Sequence, residues 1–429
     1  MRVTWFLLVV LVGCHPPAAR RQLDWLRGRL ADGGRVDEAA VNAHFTPGFL
    51  ERRPPARVVA TLPALAGHLG GMTVREVTTL SDEQVILHGV AGPQPFALTV
   101  ATDPASGRIE HLDVGADIGR VPGSMDEAVT LARGMAPRSQ LLVAALEEGR
   151  CRPLVVHNEA EPLAIASTFK LYLLLALADR IAAGEASWQD ELAVRDDWKS
   201  LPSGVTQDDP AGTRLPLRVL ADRMIAISDN TASDHLLYHL GREAVEGAVA
   251  RSGHADPARN VPFLGTRELF WLKMAVPPAE AAAWATMTAA ERRVYLDGIA
   301  GRIPTEGTDF TDWKTARHVD TIEWFAGAAD LCRLAGALWR RAQDPRAAAL
   351  LEVLSQNGGL NTVSRRAWPY VGFKGGSEPG VASAVWLLRR ADGRWFVVVL
   401  GLNGNAEIDE GALMGLATGI VVRLQDTAP

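Results

Sequence analysis

The feature of this 429-residue sequence that most restricts its fold is where the strand-like apolar runs fall. Beyond residue 123 they cluster at the two ends of the segment. Gln140–Glu147 and Arg152–His157, split by Glu148-Gly149-Arg150, read as an early hairpin. Val371–Lys374, Val381–Arg390 and Trp395–Leu402 come late, with Ala391-Asp392-Gly393-Arg394 as the turn before the last of them. The stretches between carry helical spacing: Ser167–Ala183, Leu217–Ile227, Thr231–Leu240, Pro278–Ile303, Ala326–Arg341 and Pro345–Ser355. Met125–Ala136 and Leu413–Leu424 add a helix at each end. This order predicts an antiparallel sheet built from both ends of the segment and flanked by helices, with an all-helical region inserted between.

The earlier residues have a different order. Arg20–Ala31, Val36–Leu50 and Pro55–Leu69 are helical in pattern, and Val74–Thr79, Gln84–His88, Phe96–Ala101 and Ile109–Val114 are short strand candidates separated by turn residues. Helices followed by a strand meander predict a separate α+β domain, residues 15–122, ahead of a larger one, 123–429. The chain is too long for one ordinary core in any case. No convincing acid–base pair stands out in the front domain, so its reading is structural or cleft-shaping.

The first residues read as an export signal, 1–14. Arg2 supplies positive charge, Trp5–Val12 are apolar, and Leu11-Val12-Gly13-Cys14 puts small residues before a cysteine. That stretch resembles a bacterial lipobox, which implies lipidation at Cys14, a membrane anchor and a place in the cell envelope. The remaining cysteines, Cys151 and Cys332, leave an odd total of three, which argues against a disulfide framework, and Cys332 reads as a buried helical thiol. A net charge of −6 offers no basic surplus for nucleic acid. The basic residues are nearly all Arg: the lysines are Lys170, Lys199, Lys273, Lys314 and Lys374.

Two of those five fall in short motifs. Ser167-Thr168-Phe169-Lys170 opens a helix, and positions i and i+3 share a face, so the Lys170 amine can stand beside the Ser167 hydroxyl and take its proton if burial and nearby cations lower its pKa. Ser-x-x-Lys is expected by chance roughly 0.2 times in such a chain, so its weight comes from its company. Ser228-Asp229-Asn230 lies between two helical stretches, and Lys374-Gly375-Gly376 ends an apolar strand, where glycine allows close approach.

In this order the three motifs resemble the signatures of serine β-lactamases and penicillin-binding proteins, most of all class A β-lactamases. Ala166-Ser-Thr-Phe-Lys-Leu-Tyr and Ile227-Ser-Asp-Asn-Thr-Ala-Ser-Asp-His-Leu-Leu extend the likeness, which covers about Met125–Gln425. It implies Ser167 as nucleophile, Lys170 as its base or base partner, Ser228 as proton shuttle, Asn230 as a contact to substrate or Lys170, and Lys374 as positive charge for Ser228 and a substrate carboxylate. Gly375, Gly376 and Ser377 would line the substrate, with the N–H groups of Ser167 and Ser377 as oxyanion hole. Gly375 stands where the family carries a hydroxyl, and Ser377 is its candidate replacement. The deacylating Glu-x-x-Leu-Asn pattern is missing. Glu268, in Thr266-Arg267-Glu268-Leu269-Phe270, is the candidate base, set against a helix-surface or an Arg-paired carboxylate.

Other features carry less. His235 and His239 have a zinc-compatible spacing but no third ligand, so neither metal nor cofactor is expected. Asp208-Asp209 read as loop carboxylates, and Trp368-Pro369-Tyr370 as packing before a core strand. The span between the second and third motifs is longer than in compact class A enzymes, and Ala275–Trp313 is a candidate cap over the cleft. The front domain resembles the cone-shaped fold of nuclear transport factor 2 and ketosteroid isomerase. With Thr46-Pro47-Gly48-Phe49-Leu50, the whole order resembles the β-lactamase-like proteins of clavulanic acid clusters. The implied function is a serine hydrolase acting through acyl-Ser167 on a β-lactam or related ester or amide, slow to deacylate. The alternatives are a D-Ala-D-Ala carboxypeptidase, a lipoprotein sensor that traps β-lactams without turnover, and a pseudo-enzyme whose function lies in the front domain.

Overall fold

Runs of Val, Leu and Ala in which every residue is apolar can be buried throughout only if helices cover both faces of the sheet they form. That is the arrangement in the computed structural model, which describes residues 16–304, 308, 310, 312–360 and 367–425. The export signal and Cys14 lie outside the described residues. The chain divides between Gly119 and Arg120 into two compact units.

The first unit places helices α1 (Ala18–Ala31), α2 (Glu38–His44), α3 (Pro47–Arg52) and α4 (Pro55–Leu69) before strands β1 (Thr73–Ser81), β2 (Gln84–Ala91), β3 (Gln94–Thr102) and β4 (Ile109–Ala116). The strands form an antiparallel meander in sequence order, and Leu23, Leu26, Leu30, Leu87, Leu98 and Val100 fill the core beneath it. The expected single helix over Val36–Leu50 is two, because Thr46 accepts the Phe49 N–H at 3.2 Å and starts a new helix. The unit also holds a His–carboxylate pair that its sequence hides. His88 is buried with Nδ1 2.7 Å from Asp117 Oδ1, its partner 29 residues away.

The second unit opens with α5 (Met125–Met135), β5 (Arg138–Glu147) and β6 (Arg150–His157), and closes with β11 (Tyr370–Glu378), β12 (Val381–Arg389), β13 (Trp395–Asn403) and α15 (Glu410–Gln425). Its sheet has the antiparallel order β11-β12-β13-β5-β6, so the last three strands join the first two through β13 and β5. Alternate residues serve opposite layers. Phe396, Val398 and Leu400 of β13 pack with Leu416 and Ile420 of α15, while Val397 and Val399 join a larger cluster with Leu174, Leu177 and Leu334. Between the two halves of the sheet run β7 (Leu163–Ala164), α6 (Lys170–Ala183), β8 (Glu191–Ala193), β9 (Arg214–Pro216), α7 (Leu217–Ala226), α8 (Asn230–Leu240), α9 (Arg242–Arg251), α10 (Thr266–Met274), α11 (Pro278–Thr286), α12 (Ala289–Ile299), β10 (Phe325–Ala326), α13 (Ala328–Arg341) and α14 (Leu350–Leu354). The expected helix Pro278–Ile303 is broken at Thr288, whose hydroxyl accepts the Glu291 N–H while the Glu291 carboxylate accepts the Thr288 N–H at 2.7 Å. Of Pro345–Ser355 only α14 is helical.

Cys332 is not a free thiol. It lies buried on α13 and is bonded to Cys151 on β6, 181 residues away. The odd count misleads because it does not prevent two of the three cysteines from pairing. The bond ties an edge strand of the sheet to a helix covering it and closes a long loop, so it restricts the unfolded chain strongly. Replacing Cys151 and Cys332 together by Ala is expected to lower the unfolding free energy by about 2–5 kcal/mol in urea titrations.

Candidate active site

The nucleophile turn is held by burial on all sides. Ala166 takes a left-handed conformation, φ 42°, and Ala166–Phe169 form a single 3₁₀ turn rather than the first turn of the expected α-helix. In a 3₁₀ turn, side chains at i and i+3 eclipse, which brings Ser167 over Lys170. Lys170 is the first residue of α6, a helix whose first nine residues are all buried. Ser167 itself is half-buried and faces a cleft of about 660 Å³.

The Lys170 amine, fully enclosed, is the hub of the site. Its Nζ lies 3.1 Å from Ser167 Oγ, 2.9 Å from Ser228 Oγ, 2.7 Å from the Ser228 carbonyl oxygen and 2.7 Å from Asn230 Oδ1. Burial holds its pKa well below the usual lysine range, and the charge of Lys374 adds to that. A neutral amine has two N–H groups and one lone pair. The two shortest partners are a carbonyl and an amide oxygen, which can only accept. Giving them the two N–H groups leaves the lone pair facing the hydroxyls of Ser167 and Ser228.

The second motif is built to present those groups. Ser228 sits at φ 58°, between α7 and α8. Asp229 caps α8 through the Ala232 N–H at 2.8 Å, and its other oxygen takes the N–H groups of Val205 and Thr206 at 2.8 and 2.9 Å and the Thr206 hydroxyl at 2.8 Å. A turn further on, buried Asp234 accepts the Thr266 and Arg267 N–H groups at 2.7 and 2.9 Å, fixing the start of α10 against α8.

The third motif is a strand interior rather than a strand end. Pairing with β12 continues through Gly375, Gly376 and Ser377 to Glu378. A Cβ on Gly376 would fall 2.4 Å from the Ser167 nitrogen and 2.6 Å from that of Thr168, so the close approach glycine allows is to the protein's own nucleophile turn. Lys374 Nζ lies 3.1 Å from Ser228 Oγ, and burial lowers its pKa to about 7. At Gly375 a Cβ would meet the Phe373 ring at 2.8 Å, so the ring occupies the side on which the family carries its hydroxyl. Ser377, two residues on along the strand, is exposed in the cleft.

Other expected residues stand elsewhere. Glu268 is buried and does not line the cleft. Its carboxylate meets Arg242 at 2.7 and 3.0 Å, and Oε2 accepts the Gly265 N–H at 2.7 Å. It is the Arg-paired carboxylate of the two alternatives, and it also caps the start of α10. Both ring nitrogens of His235 are engaged by backbone, the Thr231 carbonyl and the Arg195 N–H. Asp209 pairs with Arg223. Trp368 is buried against Phe396, and the Tyr370 hydroxyl donates to the Leu351 carbonyl. Phe310 and Trp313, from the stretch read as a cap, line the cleft with Phe270 of α10; the Phe270 and Phe310 rings are 5.0 Å apart. α11 and α12 contribute nothing to its lining. Sequence reasoning also missed Glu378, which lines the cleft, and its buried partners Lys273 and Glu323. The scarcity of lysine was the one signal that marked Lys273.

Comparison with solved structures finds the same fold. The β-lactamase of Sphaerobacter thermophilus DSM 20745 is 22% identical, with 71% of this chain and 97% of that one covered and a TM-score of 0.51. The β-lactamase of Desulfarculus baarsii DSM 2075 is 18% identical over 71% and 99%, TM-score 0.49. A mutant of PBP-A in acyl-enzyme complex with penicillin G is 15% identical over 70% and 95%, TM-score 0.46. Comparison with curated proteins gives no significant match. The family model described as "Beta-lactamase enzyme family" matches residues 127–415, a span that holds all three motifs and the whole five-stranded sheet, and the chain belongs to that family.

Proposed function

We propose that the second unit is a serine acyl hydrolase that works through an acyl-Ser167 intermediate on β-lactams or related esters and amides. The observation that carries this reading is the buried Lys170 amine, its nitrogen 3.1 Å from Ser167 Oγ. As Oγ attacks the acyl carbonyl, its proton passes to Lys170. Ser228, 2.9 Å from the same nitrogen and 3.1 Å from Lys374, relays a proton to the leaving nitrogen or oxygen as the acyl bond breaks. The N–H groups of Ser167 and Ser377 are assigned to the oxyanion. Lys374 supplies positive charge for Ser228 and for a substrate carboxylate, and Ser377 takes the place of the hydroxyl that Gly375 lacks.

A trapping role is the second reading. Its support is Glu268: a carboxylate paired with Arg242 and absent from the cleft lining is not placed to activate water there. The front unit is read as a domain of nuclear transport factor 2 type with a structural or cleft-shaping role. Export is supported by the Cys151–Cys332 disulfide, a bond that persists in oxidising compartments, and a lipid anchor on Cys14 by the lipobox-like stretch before it.

Exposure to a chromogenic cephalosporin or an activated ester should give a covalent mass adduct on the native chain and none on Ser167→Ala. An equal adduct on Ser167→Ala would refute the mechanism. Cells fed a clickable palmitate should label the wild-type chain and leave Cys14→Ala unlabelled; equal labelling would remove the anchor from the account.

A further inference from the structure

If an acyl group forms on Ser167, something must activate the water that removes it, and Glu268 is engaged elsewhere. Strand geometry identifies another group. On β11, residues 374, 376 and 378 point to one face. Lys374 uses that face to reach Ser228, and a Cβ on Gly376 would point into the Ser167 backbone. Glu378 is next on the same face, about 7 Å further along the strand, since two residues rise by roughly that much. Its side chain is 5% exposed, yet it lines the same cleft as Ser167. The other carboxylate lining the cleft among the described residues, Glu410, is exposed at the start of α15.

The surroundings of Glu378 are built. Lys273 of α10, fully buried, contacts the Glu378 carboxyl and holds Glu323 at 2.6 Å. The Trp313 ring, on the cleft wall, lies 6.0 Å from the Lys273 nitrogen. Glu323 Oε2 is fixed by the Trp324 N–H at 3.1 Å. Lys273 and Glu323 are the charged groups that act on Glu378 from neighbouring elements; Lys374 stands four residues back on its own strand, and His318 feels the charge of Lys273. Two buried carboxyls thus share one ammonium. Burial, and then the negative charge of Glu323, raise the Glu378 pKa well above the ordinary carboxyl range, against the pull of Lys273. The structural role alone, an ion cluster tying α10 to the sheet, would be served equally well by a carboxyl sealed off from the cleft.

We infer that Glu378, positioned by Lys273 and Glu323, is the general base that activates water against the acyl-Ser167 intermediate. This rests on the serine-hydrolase reading above. Water adds its oxygen to the acyl carbonyl carbon and gives one proton to the Glu378 carboxylate. The bond from carbon to Ser167 Oγ then breaks, and Oγ recovers that proton, freeing the acid and restoring both residues. Because the Glu378 pKa is raised, acyl groups clear faster as pH rises.

The test follows adduct mass over time in the full chain after a pulse of activated ester or chromogenic cephalosporin. Glu378→Gln should form the adduct and clear it roughly 100-fold more slowly or worse. In the native chain, clearance should rise with pH over the range in which adduct formation does not. Clearance by Glu378→Gln at the native rate, or native clearance flat from about pH 5 to 9, would overturn the inference while leaving acylation by Ser167 intact. The pH profile needs no variant and so decides even if Glu378→Gln does not fold. A native chain that forms no adduct overturns the hydrolase reading and this inference with it.

Discussion

A primary amine with no contact to solvent, surrounded by four oxygen atoms from three residues, is the constraint around which the second unit is organised. An ammonium in that position is costly to bury, so the amine titrates low, and its geometry is worth having only if each oxygen arrives in place. The costs are visible in the backbone. Ala166 and Ser228 both adopt positive φ, which bulkier or β-branched side chains resist, and Gly376 gives up its Cβ so that β11 can pass against the Ser167 turn. The helix carrying Lys170 is enclosed in the largest core of the molecule, which leaves the amine little freedom to move. The sheet supplies Lys374, and α8 supplies Asn230, so the site exists only when these three elements are assembled.

The fold was legible where burial imposes a pattern. Strands covered on both faces must be apolar throughout, and the late runs at Val381–Arg389 and Trp395–Asn403 read so plainly that their pairing with the early hairpin followed from topology. Interruptions of helices were less legible because periodicity persists across a cap. Thr288 and Glu291 form a capping box inside an alanine-rich stretch, and Thr46 does similar work before Pro47. Contacts between distant residues left no trace in the pattern at all. Cys151 and Cys332 bond across 181 residues, and His88 finds Asp117 across two turns of chain reversal.

The site divides in the same way. Ser167, Lys170, Ser228, Asn230 and Lys374 sit in short motifs whose internal spacing already encodes proximity, and the structure brings them together. The two acidic residues show the limit. Glu268 stands in a suggestive part of the chain, but whether it faces solvent, substrate or Arg242 depends on how α10 meets α9. Glu378 sits four residues after Lys374 and looks like the tail of a strand. Only the alternation of β11 and the arrival of Lys273 from another element turn it into a cleft carboxyl with a partner. Gly375 lacks a side chain for an equally local reason, since the Phe373 ring fills that side of the strand.

The central claim is that Lys170 is already neutral at ordinary pH and therefore able to take the Ser167 proton. The most direct measurement is the rate at which a neutral phosphonylating probe modifies Ser167 as a function of pH, because that reaction involves neither a substrate carboxylate nor deacylation. The account predicts a rate that does not climb through the ordinary lysine range and falls only well below it, where the amine gains its proton. A rate climbing about tenfold per pH unit towards the ordinary lysine pKa of roughly 10.4 would show that Lys170 stays charged, and would contradict the mechanism.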